Sequence, residues 1–162
     1  MRVNKAIELL EKGQPVHYIT TFEFTYENGK RLSQTWADII RLNLEHAAFD
    51  MTAVRSFMQG LIDGGPTKSG HRTPTVFAEI PSDGTSKEVM LANAWMIKQV
   101  LAQGVHGILL CHAETAGAVQ TFIEACRFSF QKIGLENGLE QGRRGHGGQD
   151  VAAPIWGVTP EE

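Results

Sequence analysis

Along the chain, short apolar runs of β-forming residues alternate with stretches whose apolar positions recur at helical spacing. Asn4 can cap a short helix carrying Ala6, Ile7, Leu9 and Leu10, with Gly13 as its stop. Pro15 opens a first strand over Val16 to Thr20, and the polar stretch through Asn28-Gly29 separates it from a short helix expected at Leu32 to Trp36. Ile39 to Leu44 reads as a second strand that delivers Glu45 and His46 at its C-terminal end. Asp50 then caps a helix through Val54, Phe57, Met58 and Leu61, which Gly64-Gly65-Pro66 breaks. A third strand is expected from Thr75 to Ile80, ending at Pro81. Thr85 and Glu88 stand at capping-box spacing before the helical stripe Val89, Met96, Ile97, Val100 and Leu101, which ends at Gly104. Gly107 to Cys111 is apolar without alternation, as a parallel strand covered on both faces requires. Val119, Phe122, Ile123, Cys126 and Phe130 predict one further helix with a single apolar face.

Strands alternating with helices in this way predict right-handed βαβ units, and therefore an α/β fold with four parallel strands in sequential order. From Gly134 to Gly148 the chain is rich in glycine and charge and has no periodicity, which reads as a mobile or ligand-facing loop. A length of 162 residues suits one domain with a real core. The expected organisation is therefore a single domain over 1–162, with 134–158 as loop and covering segment. A four-stranded open sheet exposes the edges of its first and fourth strands, so a homo-oligomer or a covering segment is expected as well.

Composition narrows the partners. With 42% apolar and 20% charged residues and a net charge of −3, no basic excess exists for phosphate contacts, so nucleic acid is not an expected partner. No stretch approaches the roughly 20 apolar residues of a membrane span. Charges at Arg2, Lys5, Glu8, Glu11 and Lys12 interrupt the N-terminal apolar pattern, unlike a signal peptide. Cys111 and Cys126, the only two cysteines, do not suggest a disulfide framework, and the default location is a reducing cytoplasm.

In parallel α/β sheets ligands meet the C-terminal ends of the strands. That rule selects Asn43, Glu45 and His46 after the second strand, Glu79 in the third, and Cys111, His112 and Glu114 after the fourth. Any one of these could simply cap a helix or face water. Three polar groups sharing one turn favour a role for His46. Cys111 and His112 are zinc-type ligands, but neighbours on a strand point to opposite faces, so a shared zinc is not expected. The run Arg143-Arg144-Gly145-His146-Gly147-Gly148 could cradle an anion or be a solvated loop. It lacks P-loop spacing. Trp156-Gly157 reads as packing.

The run Asp38-Ile39-Ile40-Arg41-Leu42-Asn43-Leu44-Glu45-His46 resembles the second-strand signature of HpcH/HpaI aldolases, in which an acid, then Glu-His, closes an apolar strand. Other segments resemble the family in order. They are Asn4 to Gly13, Val76 to Pro81, Gly104 to Glu114, Glu124 to Phe128, Arg144-Gly145, Trp156-Gly157 and the terminal Glu161-Glu162. The resemblance covers almost the whole chain and implies the N-terminal half of a metal-dependent pyruvate class II aldolase, with the first four βα units of a (β/α)8 TIM barrel. It further implies a carbon–carbon lyase acting on 2-oxo acid aldol adducts, with a 2-oxo acid and an aldehyde as small-molecule partners. A divalent Mg or Mn would act as Lewis acid, a His as base through water, and an Arg would steady the oxyanion.

Under this resemblance His46 matches the base and Glu45 the acid beside it, while Asn43 stands where the family has an Asp that orients the His. Glu79 stands where the family has its oxyanion-binding Arg. Glu79, His112 and Arg144 are the substrate-binding candidates. The family's metal-binding Glu and Asp belong to the fifth and sixth strands, so no metal ligand is expected here. An anion at Glu79 and the lack of those ligands predict no pyruvate turnover by this chain alone. The competing reading is a non-catalytic binding or scaffold module derived from the aldolase fold.

Overall fold

The computed structural model describes residues 3–160, so the expectations resting on Arg2 and on Glu161-Glu162 lie outside the described residues. A short helix α1 (Lys5–Glu11) leads into β1 (Tyr18–Thr21), α2 (Tyr26–Leu32), β2 (Ile39–Asn43) and α3 (Met51–Asp63). Then follow β3 (Thr75–Asp83), α4 (Lys87–Ala102), β4 (Gly107–Cys111), α5 (Ala116–Cys126) and α6 (Gln149–Trp156). The four strands form one parallel sheet in the order β1-β2-β3-β4. This is the α/β arrangement of βα units that the alternating pattern predicts.

Side chains alternate across each strand, so the two faces of the sheet have different fates. Ile40, Leu42 and Leu44 of the second βα unit and Val76, Ala78 and Ile80 of the third have no exposed surface. They meet Val54, Phe57, Met58 and Leu61 of α3 and Met90, Ile97 and Val100 of α4. Burial of each such Leu, Ile or Phe side chain contributes roughly 1.5–3 kcal/mol, which makes this helix-covered face the main source of stability. The other face carries Arg41, Asn43, Phe77 and Glu79, the inward positions of a barrel wall.

Both terminal segments gather at the N-terminal ends of the strands. Asn4 caps α1 through its Oδ1, which accepts from the Ile7 N–H, and the same oxygen accepts from the Thr75 hydroxyl at 2.9 Å. The Trp156 indole N–H donates to the Gly104 carbonyl at 2.7 Å, and Arg72 donates to the Ile155 carbonyl. Trp156 thus packs as its sequence context suggested, and the opposite ends of the strands are left open.

Several expectations need correction. The second helix covers Tyr26–Leu32, not Leu32 to Trp36, and so includes the Asn28-Gly29 pair read as a separator. Its reason is tertiary: a Cβ on Gly29 would collide with the Phe57 carbonyl, and one on Gly60 with the Tyr26 carbonyl. The two glycines let α2 and α3 touch backbone to backbone. Thr25 caps α2 by accepting from the Asn28 N–H. The first strand starts at Tyr18, two residues later than expected. The third runs past Pro81 to Asp83, with its register to β4 shifting between Glu79 and Asp83. Pro81 sits exposed in that irregular stretch, where a missing N–H costs no ladder bond. Ser86, not Thr85, caps α4 by accepting from the Val89 N–H. The fifth helix ends at Cys126, so Phe130 lies outside it and stacks on Phe128. The stretch 134–158 is also more ordered than a glycine loop, since it includes two short 3-10 turns and α6.

Candidate functional site

Where β2, β3 and β4 end, a single connected polar cluster forms. Asn43 and Glu79 are register partners on neighbouring strands and are almost wholly buried, at 4% and 6% exposure. The Asn43 amide donates to Glu79 Oε2 at 2.6 Å, while its own Oδ1 accepts the His46 backbone N–H at 2.9 Å. That second bond folds the chain over immediately after β2 and presents Glu45 and His46. Leu44 N–H donates to the Glu79 carbonyl, tying the same turn to β3.

Glu45 is the hub. Its Oε2 lies 3.2 Å from His46 Nε2, and its Oε1 lies 3.5 Å from His112 Nε2. Both imidazoles are mostly solvent-facing, at 68% and 64% exposure, whereas Glu45 is largely covered. Asp83 reaches His112 from β3 at 3.9 Å. His112 has φ 47, and among the described residues it is the one non-glycine with positive φ. Such a left-handed residue costs conformational energy, here while turning an imidazole back toward Glu45. Burial pushes the Cys111 thiol up to about 12, with Glu45 and Glu79 adding to the shift, so Cys111 is a neutral thiol.

Glu79 is not an isolated anion. Arg41, two residues before Asn43 and on the same face of β2, places Nη1 3.2 Å from Glu79 Oε1. Its Nε donates to Thr20 Oγ1, and its guanidinium lies over the Tyr18 ring. Each Glu79 oxygen therefore has its own donor, one from a guanidinium and one from an amide. Arg41 was missed at the level of sequence. The signal was present, since Arg41 is the only Lys or Arg in any of the four strands and shares the parity of Asn43. The strand expected from Thr75 to Ile80 stops three residues short of Asp83, which leaves Asp83 out of the sequence candidates.

The remaining candidates lie elsewhere. Arg144 is buried, donates to the Leu101 carbonyl at 3.3 Å and sits over the Phe128 ring. Leu101 belongs to the last turn of α4, at the N-terminal side of the sheet, so Arg144 is not brought together with the strand-end cluster. Arg143 pairs with Glu124 and Glu140. Asp38, the first residue of the resembling run, also lies at the N-terminal side, bound to Lys5 and the His17 N–H. Burial raises its carboxyl, but those two partners outweigh burial and hold it below the usual range. Glu114 is exposed.

Two sets of potential metal donors converge at the strand ends. Glu45, Asp83 and His112 form one, and Glu45, Glu79 and Cys111 form the other, with donor atoms within 4.8 Å of one another in each set. The first, with two carboxylates and an imidazole, suits Mg, Mn or a similar divalent cation. In the second, Glu79 is already engaged by Arg41 and Asn43. Cys111 and His112 fall in different sets; His112 follows the end of β4 and its left-handed backbone turns its ring toward Glu45.

Four parallel strands in sequential order with helices between them correspond to half of the wall of a (β/α)8 barrel. No family model and no curated protein matches the sequence. Among solved structures, the chain is similar to the crystal structure of an HpcH/HpaI aldolase/citrate lyase family protein from Burkholderia cenocepacia J2315. The TM-score is 0.67 at 17% identity, over 92% of this chain and 51% of that one. The chain therefore spans about half the length of that protein and shares its fold, which fits the N-terminal half implied by the sequence resemblance.

Proposed function

We propose that this chain carries the proton-transfer face of a carbon–carbon lyase of HpcH/HpaI type, acting on aldol adducts of a small 2-oxo acid. The observation that carries this reading is the His46–Glu45 pair, held at the strand ends by the Asn43–Glu79–Arg41 network. Glu45 beside Nε2 selects the tautomer with the proton on that nitrogen and leaves Nδ1 as the base. In the cleavage direction, Nδ1 accepts the proton of the adduct's hydroxyl group. The adjacent carbon–carbon bond breaks, its electron pair moves toward the 2-oxo group, and the aldehyde leaves. Returning the proton to the enolate carbon completes the reaction. A divalent cation, for which Glu45, Asp83 and His112 are the candidate ligands, supplies polarisation of the 2-oxo group when bound.

Glu79 alone would oppose this chemistry, because a buried anion disfavours an enolate nearby. Arg41 changes that balance, since its fixed positive charge lies against the Glu79 carboxylate. Among the described residues the outer edges of β1 and β4 pair with no further strand, which supports assembly with a further barrel half such as the expected homo-oligomer would supply. Cys111 and Cys126 are free thiols, which supports a reducing compartment such as the cytoplasm. Among the described residues no helix is long and apolar enough to cross a membrane.

The test is proton exchange of the pyruvate methyl group in heavy water with added Mg or Mn, which requires enolate formation and no aldehyde. The sequence alone predicts no turnover; the Arg41–Glu79 contact and the donors Glu45, Asp83 and His112 reverse that expectation, and metal-dependent exchange that disappears in His46→Ala is expected. Absent exchange, or exchange indifferent to His46→Ala, overturns the assignment and favours the non-catalytic module.

A further inference from the structure

Building on the proposed 2-oxo acid chemistry, we infer that Arg41 is the substrate-carboxylate receptor, held in the free protein by Glu79 as a stand-in anion that an incoming carboxylate displaces. Three observations carry this. The first is uniqueness: the four strands contain no other Lys or Arg, and the charges nearest their ends, Glu45, Glu79 and Asp83, are all carboxylates. Within the strands themselves, an anionic ligand meeting this cluster has Arg41 as its fixed cation.

Geometry is the second. Arg41 projects from the inward face of β2 toward the strand ends, and Nη1 reaches Glu79 Oε1 while Nε is taken by Thr20. The guanidinium carbon lies over the Tyr18 ring, 5.2 Å from its centroid. With Nε and Nη1 occupied, Nη2 has no hydrogen bond among the described residues, and the side chain is 26% exposed. Displacement of Glu79 from Nη1 would free the Nη1–Nη2 edge, whose two parallel N–H groups match a carboxylate, while Thr20 keeps Nε anchored.

The third observation is the single contact from Arg41 to Glu79. A structural Arg–Glu pair gains most from a two-pronged geometry, whereas here the second Glu79 oxygen is committed to the Asn43 amide. That amide would keep Glu79 hydrogen-bonded when Arg41 turns to a ligand. Glu79 then tunes how available Arg41 is, which ties substrate affinity to a residue that does not itself touch the substrate.

Oxalate is the probe, because it presents the planar carboxylate of a 2-oxo acid and cannot enolise. Its affinity is to be measured by titration calorimetry on the whole chain with Mg, for wild type, Glu79→Gln and the double variant Arg41→Met with Glu79→Gln. The double variant leaves no unpaired buried charge, and its unfolding temperature checks that it folds. Freeing Arg41 in Glu79→Gln should tighten oxalate binding several-fold. Removing Arg41 from that background should weaken it by about tenfold to a hundredfold, the worth of a charged hydrogen bond. A purely structural pair predicts weaker or unchanged binding in Glu79→Gln, and that result would overturn the assignment. So would a double variant that binds like Glu79→Gln, or a wild type that does not bind oxalate. Failure of pyruvate exchange alongside Arg41-dependent oxalate binding would remove only the proposed chemistry. Surviving exchange with Arg41-independent oxalate binding would remove only this assignment.

Discussion

Replacing Asn43 by Asp would restore the residue that the resembling aldolases carry at this position, yet here it should be strongly destabilising at neutral pH. Asn43 Nδ2 lies 2.6 Å from Glu79 Oε2 in a nearly closed environment. Two ionised carboxylates at that separation repel by about 6 kcal/mol at an effective dielectric constant of 20. Keeping one shared proton up to pH 7 costs less, about 4 kcal/mol for groups that ionise near pH 4 when unfolded. The variant pair should therefore hold a proton in the folded state. Its effective pKa is then raised above the unfolded value, so native stability is intact below about pH 4 and is lost as pH rises toward the folded value. Attraction to Arg41 reduces the cost, which makes about 4 kcal/mol the upper bound at pH 7. Urea unfolding of wild type and Asn43→Asp from pH 4 to 8 measures this directly. A difference that grows with pH at up to about 1.4 kcal/mol per unit is expected. A difference that is flat across pH, or a stabilised variant, would refute the idea that Asn43 and Glu79 act as one unit.

Gly29→Ala and Gly60→Ala should each destabilise by about 1–3 kcal/mol despite the better helix propensity of alanine, because each methyl meets a backbone carbonyl of the partner helix. Thermal or denaturant unfolding checks both, and a stabilised variant would contradict the close approach of α2 and α3. Burial lowers the His106 imidazole to about 4, with its Nδ1 accepting the Val76 N–H at 3.1 Å. Native stability should fall as pH drops from the ordinary histidine range toward 4, and an NMR titration of the ring that finds a pKa near 6.5 would contradict this. Cys111, with its thiol raised to about 12, should resist iodoacetamide at pH 8, and rapid labelling of the folded protein would count against its burial beside Glu45.

The strand–helix alternation was legible because it depends on local hydrophobic periodicity. Ile39–Asn43 and Gly107–Cys111 lie where their apolar runs lie. Glu45, His46, Glu79 and His112 were reachable through the rule that strand carboxyl ends meet ligands, and all four sit at one end of the sheet. What escaped depends on contacts distant in sequence. Asn28-Gly29 looks like a turn, but packing against α3 makes it helix. Asp83 was hidden behind Pro81, whose tolerance in an irregular exposed stretch is a tertiary matter. Asn43 and Glu79 looked like two separate departures from an aldolase pattern. With Arg41 placed, they form one adjusted unit in which an amide and a guanidinium share a carboxylate. No local pattern reveals that pairing, because Glu79 lies 36 residues from Asn43 and 38 from Arg41 along the chain.

The most direct measurement is a crystal structure of the chain grown with Mn and oxalate. Mn is expected on Glu45, Asp83 and His112, with an oxalate carboxylate within hydrogen-bond distance of Arg41 and His46 facing the bound ligand. Oxalate located away from the β2–β4 strand ends, or an Arg41–Glu79 contact unchanged beside a ligand bound there, would contradict that arrangement.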